Sequence, residues 1–387
     1  MGFARILVCL LFYSSFATIS VAQQAFKCTA GKTCRSIVGY KSPNTTSISS
    51  IQKLFGVKNR HSLLGANNLP LSTQSNYVIR EQTVIKIPIP CICFNGTGAS
   101  NKMPIYTVQP DDTLYYIAND VFMGLLTYPR IQQVNQIENP NLINVSQELW
   151  IPLSCSCEEV DGERVMHYAH LVEEGSTVEE IAEMFGTTND TLYRLNGIAN
   201  NSQLYAETAF DVPLKACNSS VREDSVDSPF LVPNNTYFLT ANNCVKCKCD
   251  AANNWTLQCE PSGIKPSSWS ACPAMQCEDS SLTIGNTITS SCNTTTCAYA
   301  GYSSDQNIFT TLATQSTCPV TTAPGGSPGN FASRIGLSWN YLFISIHLIC
   351  FFQTKRYIFN RYTKKINKSY WVESLCKPES IPKILIR

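Results

Sequence analysis

Charge is scarce in this chain. Only 15% of its 387 residues are Asp, Glu, Lys or Arg, against about 25% in an average globular protein. The totals nearly cancel, 29 basic against 28 acidic, but they are unevenly placed. Residues 353–387 carry nine basic and two acidic side chains, whereas residues 23–352 carry 19 basic and 26 acidic. A nucleic-acid binder is basic in its folded part. Here that part is acidic, which excludes nucleic acid. Histidine is scarcer still, with His61, His167, His170 and His347 making up the full set of four. His167 and His170 precede the strand of a repeat described below, at an odd spacing that puts them on opposite faces, so no metal site is expected. No kinase signature occurs, and the 35 residues after Phe352 are too few for a kinase domain.

Cysteine, by contrast, is abundant. Of 19 cysteines, Cys9, Cys350 and Cys376 lie in terminal segments, and 16 fall between residues 28 and 318. An even number at this density predicts disulfides formed in an oxidising compartment. Other features agree with export. Residues 1–22 read as a signal peptide: Arg5, an apolar run from Ile6 to about Phe16, then small residues ending at Ala22. Asn-x-Ser/Thr acceptors for glycan stand at Asn44, Asn95, Asn144, Asn189, Asn200, Asn218, Asn234, Asn254 and Asn293. Residues 321–334 form a small-residue, turn-rich linker before the apolar stretch 335–352, and a basic tail, 353–387, follows. Linker and apolar stretch together describe a GPI-anchor signal. The basic tail instead fits the flank of a single membrane span. Either anchor leaves the folded part outside the cell.

Self-comparison exposes repeats. Tyr106-Thr-Val-Gln-Pro-Asp-Asp-Thr-Leu-Tyr-Tyr-Ile-Ala118 recurs as His170-Leu-Val-Glu-Glu-Gly-Ser-Thr-Val-Glu-Glu-Ile-Ala182, at an offset of 64. Val134-Asn135 matches Leu195-Asn196, and the copies close with Trp150-Ile-Pro-Leu153 and Asp211-Val-Pro-Leu214. A weaker copy runs from Ser47 to Phe55, through Gly65-Ala-Asn-Asn68, to Ile87-Pro88. In the middle copy Val108 is expected to begin a strand. Pro110 to Asp112 turn the chain, and Thr113 is placed to cap a helix carrying Leu114, Ile117, Ala118 and Val121 at helical spacing. A second helix is expected over Tyr128 to Gln136 and a second strand over Leu149 to Ile151. Units this small bury little apolar area and need staples. Cys28 and Cys34, Cys91-Ile-Cys93 and Cys155-Ser-Cys157 sit at the seams. Six cysteines alone allow fifteen connectivities.

These repeats, with Gly65-Ala-Asn-Asn-Leu-Pro-Leu71, His167-Tyr-Ala-His170, Val212-Pro-Leu-Lys-Ala-Cys217 and Cys244-Val-Lys-Cys-Lys-Cys249, resemble the plant LysM domain-containing GPI-anchored proteins of the chitin elicitor-binding type. The likeness covers about residues 26–320. The tail after Phe352 departs from it, since such chains usually end with the hydrophobic stretch. The resemblance implies an α+β fold of three tandem small βααβ LysM modules stapled by disulfides, at 26–94, 104–157 and 166–217. A small cysteine-rich β/loop module, 218–320, follows. It implies the pairings Cys28–Cys93, Cys34–Cys157 and Cys91–Cys155, and leaves open those of the ten cysteines from Cys217 to Cys318. It further implies a receptor or co-receptor for chitin oligosaccharides in plant innate immunity. Such a receptor signals through a LysM receptor-like kinase and can form a homodimer on its ligand.

In LysM units the ligand lies between the first strand–helix loop and the second helix–strand loop. The matching positions in the middle unit are Gln109, Pro110, Asp111, Asp112 and Thr113, facing Ile137, Glu138, Asn139, Pro140, Asn141, Leu142 and Ile143. Loop amides and carbonyls would serve the acetamido group of an uncharged N-acetylglucosamine oligomer, and Leu142 or Ile143 would cover its methyl. Asn144, itself a glycan acceptor, borders this groove. No cofactor is expected. Glu173, Glu174, Glu179, Glu180 and Glu183 read as the solvated face of a short helix rather than glycosidase carboxylates, and no stretch outside the repeats would hold a hydrolase. The expectation is therefore a binding protein. Its rivals are a peptidoglycan-binding relative, a cell-wall hydrolase and a structural wall tether.

Overall fold

The computed structural model describes residues 26–316. The signal peptide, the linker 321–334, the apolar stretch 335–352 and the basic tail 353–387 lie outside the described residues.

The first unit opens with β1 (Thr33–Lys41). The short strands β2 (Thr46–Ser47) and β3 (Val78–Ile79) pair with each other and bracket α1 (Ile48–Phe55) and α2 (Arg60–Ala66). β4 (Val84–Phe94) then returns antiparallel to β1. α1 starts where the Ser47 hydroxyl accepts the Ser50 amide, and it stops at Gly56, whose φ of 64° is left-handed. Ile48, Ile51 and Phe55 recur at helical spacing and are buried.

β5 (Thr97–Ser100) folds back on β4, and β6 (Ile105–Thr107) opens the middle unit. A single turn, α3 (Leu114–Tyr116), runs into a π turn over Ile117–Val121. α4 (Tyr128–Val134) and β7 (Glu148–Trp150), the latter paired with β6, complete the unit. These bounds correct the sequence reading at four points. Val108 lies just past β6 because the β6–β7 ladder ends there, although its amide still reaches the Gln147 carbonyl. The expected first helix widens at its centre, where the Phe122 amide reaches back five residues to Ile117. The second helix ends at Val134, since Gln136 is left-handed at φ 53°. The closing strand is Glu148–Trp150, one residue earlier than Leu149 to Ile151.

β8 (Ser154–Cys155) and β9 (Glu159–Val160) lead to the third unit, which comprises β10 (Glu163–Leu171), α5 (Val178–Phe185), α6 (Asn189–Asn196) and β11 (Ala209–Lys215). α5 begins with a reciprocal capping box between Thr177 and Glu180. His167 and His170 lie inside β10 rather than before it. Two three-stranded antiparallel sheets follow. The first holds β12 (Thr236–Thr240), β13 (Val245–Cys249) and β14 (Gln258–Pro261), and the second β15 (Thr287–Ser290), β16 (Asn293–Tyr302) and β17 (Ile308–Ser316).

One seven-stranded sheet unites the first and third units in the order β11-β10-β1-β4-β5-β8, with β9 on β10 and β1 parallel to β10. The middle unit, apart from β8 at its end, joins instead through a shared core. Tyr40, Phe55 and Phe122 meet edge to face with ring centroids 4.9 and 5.7 Å apart. Disulfides Cys28–Cys93, Cys34–Cys157 and Cys91–Cys155 tie the N-terminal segment, β1, β4 and β8 together. The third unit shares its core with the cysteine-rich part, where Cys217–Cys249, Cys244–Cys272, Cys247–Cys259 and Cys277–Cys297 are bonded. α2 presses against β12 at Gly65, where any Cβ would stand 2.0 Å from the Tyr237 carbonyl oxygen.

Two charge contacts lock the N-terminal segment to the third unit. The Glu158 carboxylate accepts from the Thr29 amide and from Lys32 Nζ. The Glu158 carbonyl accepts from His167 Nε2 at 2.9 Å, while His167 Nδ1 faces Asp211 Oδ1 at 2.8 Å. Both partners of this buried ring are acceptors, and a neutral imidazole has one N–H to offer. Burial pushes the His167 pKa down, but Asp211 outweighs it and the net shift is upward. For Glu158, burial acts to raise the pKa, and the bonds from Lys32 and Thr29 win, holding it at about 2. A depressed carboxyl stabilises the fold above its ordinary value of 4.5, and that contribution disappears as pH falls toward about 2. Denaturant unfolding followed over this acid range should show a loss of stability in the native protein. Glu158→Gln should be less stable at neutral pH and flatter through the acid range.

Candidate saccharide groove of the middle unit

The two candidate loops of the middle unit leave the same end of the β6–β7 ribbon. The Val108 amide donates to the Gln147 carbonyl and the Ser146 amide to the Val108 carbonyl, both at 2.9 Å. Loop 109–113 therefore starts, and loop 137–144 ends, at one hydrogen-bonded pair. The first loop is held from within. Asp112 Oδ2 accepts from the Tyr106 hydroxyl at 2.9 Å and from the Gln109 amide at 2.7 Å. Burial first, and then this bond to Asp112, hold the Tyr106 phenol far above its ordinary pKa. Gln109 Nε2 donates to the Thr107 carbonyl, Asp111 is left-handed at φ 68°, and Thr113 Oγ1 caps α3 by accepting the Tyr116 amide at 3.0 Å.

Asn135 holds the second loop at its base. Its side-chain amide donates to the carbonyls of Ile131 and Trp150, both at 2.8 Å, and its Oδ1 accepts the Trp150 amide at 2.9 Å. Further along, the Ile137 amide donates to Gln132, and Asn139 accepts from the amides of Asn141 and Leu142, at 3.0 Å each. The side chains of Gln109, Asp112, Thr113 and Asn139 are thus engaged within their own loops. Pro110, Asp111, Glu138 and Asn141 lie at the surface, and Pro140 is half-buried. Leu142 is 71% exposed, whereas Ile143 is half-buried against the core. Among the described residues, no internal hydrogen bond engages the amide of Asp111 or Ile143 or the carbonyl of Leu142. The rims thus offer unsatisfied main-chain donors and acceptors, one projecting aliphatic side chain, three carboxylates and no lysine or arginine. Such a surface suits a neutral ligand rich in amides and hydroxyls, and it repels anions.

The glycan acceptors are all accessible to some degree. Asn44, Asn95, Asn144, Asn200, Asn218, Asn254 and Asn293 are exposed, and Asn189 and Asn234 are half-buried. Glu179, Glu180 and Glu183 lie on the exposed side of α5, with Glu173 and Glu174 in the loop before it. Sequence reasoning missed a separate cavity between the first and third units, because its walls come from segments far apart in the chain.

The LysM domain model matches residues 106–152 and 170–213, which are the middle and third units. LysM domain-containing GPI-anchored protein 2 of Arabidopsis thaliana is 48% identical over 344 residues, covering 87% of this chain and 95% of that one. This chain belongs to the LysM domain-containing GPI-anchored protein family. The chitin elicitor-binding protein of Oryza sativa subsp. japonica is 37% identical over 86% of this chain and 92% of its own length. LysM domain-containing GPI-anchored protein 1 of Arabidopsis thaliana is 31% identical over 81% and 76%. Among the described residues no helix is long and apolar enough to cross a membrane.

If Asn135 supports the rim of this LysM domain, Asn135→Ala leaves two carbonyls and an amide unpaired. It should cost about 1–3 kcal/mol in denaturant unfolding and weaken saccharide retention as the second loop loosens.

Proposed function

We propose that the chain is a cell-surface receptor or co-receptor for chitin oligosaccharides in plant innate immunity, with the middle unit as the ligand-binding module. The surface of that groove carries the reading. It exposes unpaired main-chain amides and carbonyls beside Leu142, and its ionic side chains are acidic. An N-acetylglucosamine unit presents an amide N–H, a carbonyl and a methyl, and carries no charge. Each net hydrogen bond contributes about 0.5–1.5 kcal/mol, and covering a methyl-sized group about 0.8 kcal/mol. Affinity per sugar is therefore small, and several subsites or two receptors on one polymer supply the rest. Muropeptides carry carboxylates that Asp111, Asp112 and Glu138 would repel, which favours chitin over peptidoglycan. The name of the rice relative, a chitin elicitor-binding protein, points the same way.

The first unit is a third LysM module in this reading. Its α2 ends in Asn67, which spans Leu63 and Lys86 as Asn135 spans Ile131 and Trp150. The chain is held outside the membrane by a GPI anchor, as the names of its relatives indicate for them. Its signal passes to a LysM receptor-like kinase, and a long oligomer can bring two copies together.

Calorimetric titration of the deglycosylated ectodomain with chitin octamer and a muropeptide tests the ligand. The octamer should bind and the muropeptide should not. Leu142→Asp should weaken the octamer at least tenfold, about 1.4 kcal/mol, without changing thermal stability, since Leu142 is exposed. Unchanged affinity in that variant would remove the middle groove as the site. Ile143 makes a poorer test because it packs on the core. For the anchor, phosphatidylinositol-specific phospholipase should release intact protein from cells, whereas complete retention would assign residues 335–352 as a span.

A further inference from the structure

The cavity between the first and third units holds about 510 Å³ and lies outside the middle groove. Its aromatic wall is built on β10 and α5. Phe185 stands 5.4 Å from Tyr168 and 5.2 Å from His170, centroid to centroid. Gly39 permits this wall, because a Cβ there would sit 2.2 Å from the Tyr168 hydroxyl. Asn68 and Lys86 line the cavity from the first unit, Ser176 from the loop before α5, and Asn235 from the turn before β12.

Apart from Asn67, which is spent on its clamp, and Glu173, several polar groups of this cavity are idle. Among the described residues, the side chains of Asn68, Lys86, Ser176 and Asn235 make no internal hydrogen bond, and neither ring nitrogen of His170 does. A lipid tail would bury these donors and acceptors without partners, at a cost of kilocalories per group. An anion would meet Glu173, which lines the same cavity and pairs with Lys41 at 3.5 Å, while burial lowers the pKa of Lys86, the lysine in the lining. Burial likewise lowers the His170 pKa to about 4, against the opposing pull of Glu173. The ring is therefore neutral at ordinary pH, with one donor and one acceptor. What remains is a neutral ligand with an apolar face for the rings and hydroxyl or amide groups around its edge.

We infer that this cavity is a second saccharide site, which takes the neutral end of an N-acetylglucosamine-containing chain against Tyr168, His170 and Phe185. Such a chain has two sources. One is a free oligomer, and the other is the chain's own glycan on Asn234, the neighbour of Asn235. The site does not depend on the middle groove, so each can fail alone.

Saturation-transfer NMR of the intact ectodomain with N,N′-diacetylchitobiose tests the inference, using a background that carries Leu142→Asp to silence the groove. Transfer to the disaccharide should persist in that background. It should fall at least fivefold on adding His170→Phe, which keeps a ring but removes both nitrogens, or Ser176→Trp, which puts a bulky ring on the cavity wall. Thermal unfolding confirms that each variant is folded. Each comparison is made with Asn234 intact and with Asn234→Gln. Binding in both forms assigns a free oligomer, and binding only after Asn234→Gln assigns the chain's own glycan. Absence of transfer in both glycoforms, or transfer unmoved by His170→Phe and Ser176→Trp, overturns the second site. Loss of octamer binding in Leu142→Asp with the disaccharide retained separates the two sites.

Discussion

Each of the three units depends on one asparagine. Asn67, Asn135 and Asn196 sit at the end of the second helix of their units. Each donates to a carbonyl four residues back and exchanges two hydrogen bonds with the backbone of the closing strand, at Lys86, Trp150 and Asp211 respectively. An asparagine side chain carries a carbonyl and an amide on one short stem, so it can copy a backbone pairing where the ladder is interrupted. Glutamine is a methylene too long, and aspartate lacks the donor. This clamp closes a unit of two short helices and a strand pair that would otherwise have little holding its ends together. In the middle unit it also sets the base of loop 137–144, so the rim of the candidate groove inherits its position from a contact in the framework.

Stapling acts at the next level. The three disulfides among the first six cysteines of the exported part join segments 64 to 123 residues apart. Closing long loops restricts the unfolded chain most, which suits units too small to stabilise themselves. The staples lie at the seams and leave the loop ends of the middle unit open. The first and third units are bound in one sheet, and the third shares its core with the cysteine-rich part. The middle unit keeps its own ribbon and leans on the first through Phe55 and Phe122. Its ribbon, like the short β2–β3 pair of the first unit, stays outside the common sheet.

Electrostatics divides the molecule by role. The buried pair of His167 and Asp211 serves cohesion between strands. On the loops of the candidate groove the ionic groups are acidic, and Asp112 is turned to its own turn. In the proposed reading, recognition is left to main-chain amides and aliphatic or aromatic surface. Such contacts are individually weak, which fits a polymer ligand engaged at several points better than a small molecule held at one.

The repeat pattern was legible because βααβ units reuse local signals. Thr113 and Thr177 cap helices, Asn135 and Asn196 follow apolar spacing, and paired cysteines mark the seams. Local chemistry with a short range determined unit order and helix starts, whereas the loops of the candidate groove followed from the family resemblance. The π turn in the middle unit leaves no local signal in the sequence, and Phe122 at its end packs on Phe55 of the first unit. His167 and His170 were misplaced by a few residues, because the length of β10 is set by its pairing with β1 and β11. Which asparagine of the Asn67–Asn68 pair acts as the clamp, that Asp112 is spent on its own loop, and that Ile143 turns inward while Leu142 projects also needed the fold. Sequence by itself determined what each unit is, because capping, turns and periodicity act within a few residues. Tertiary structure alone decided how the units share a sheet and where they leave a cavity, because those outcomes rest on contacts between residues more than a hundred positions apart.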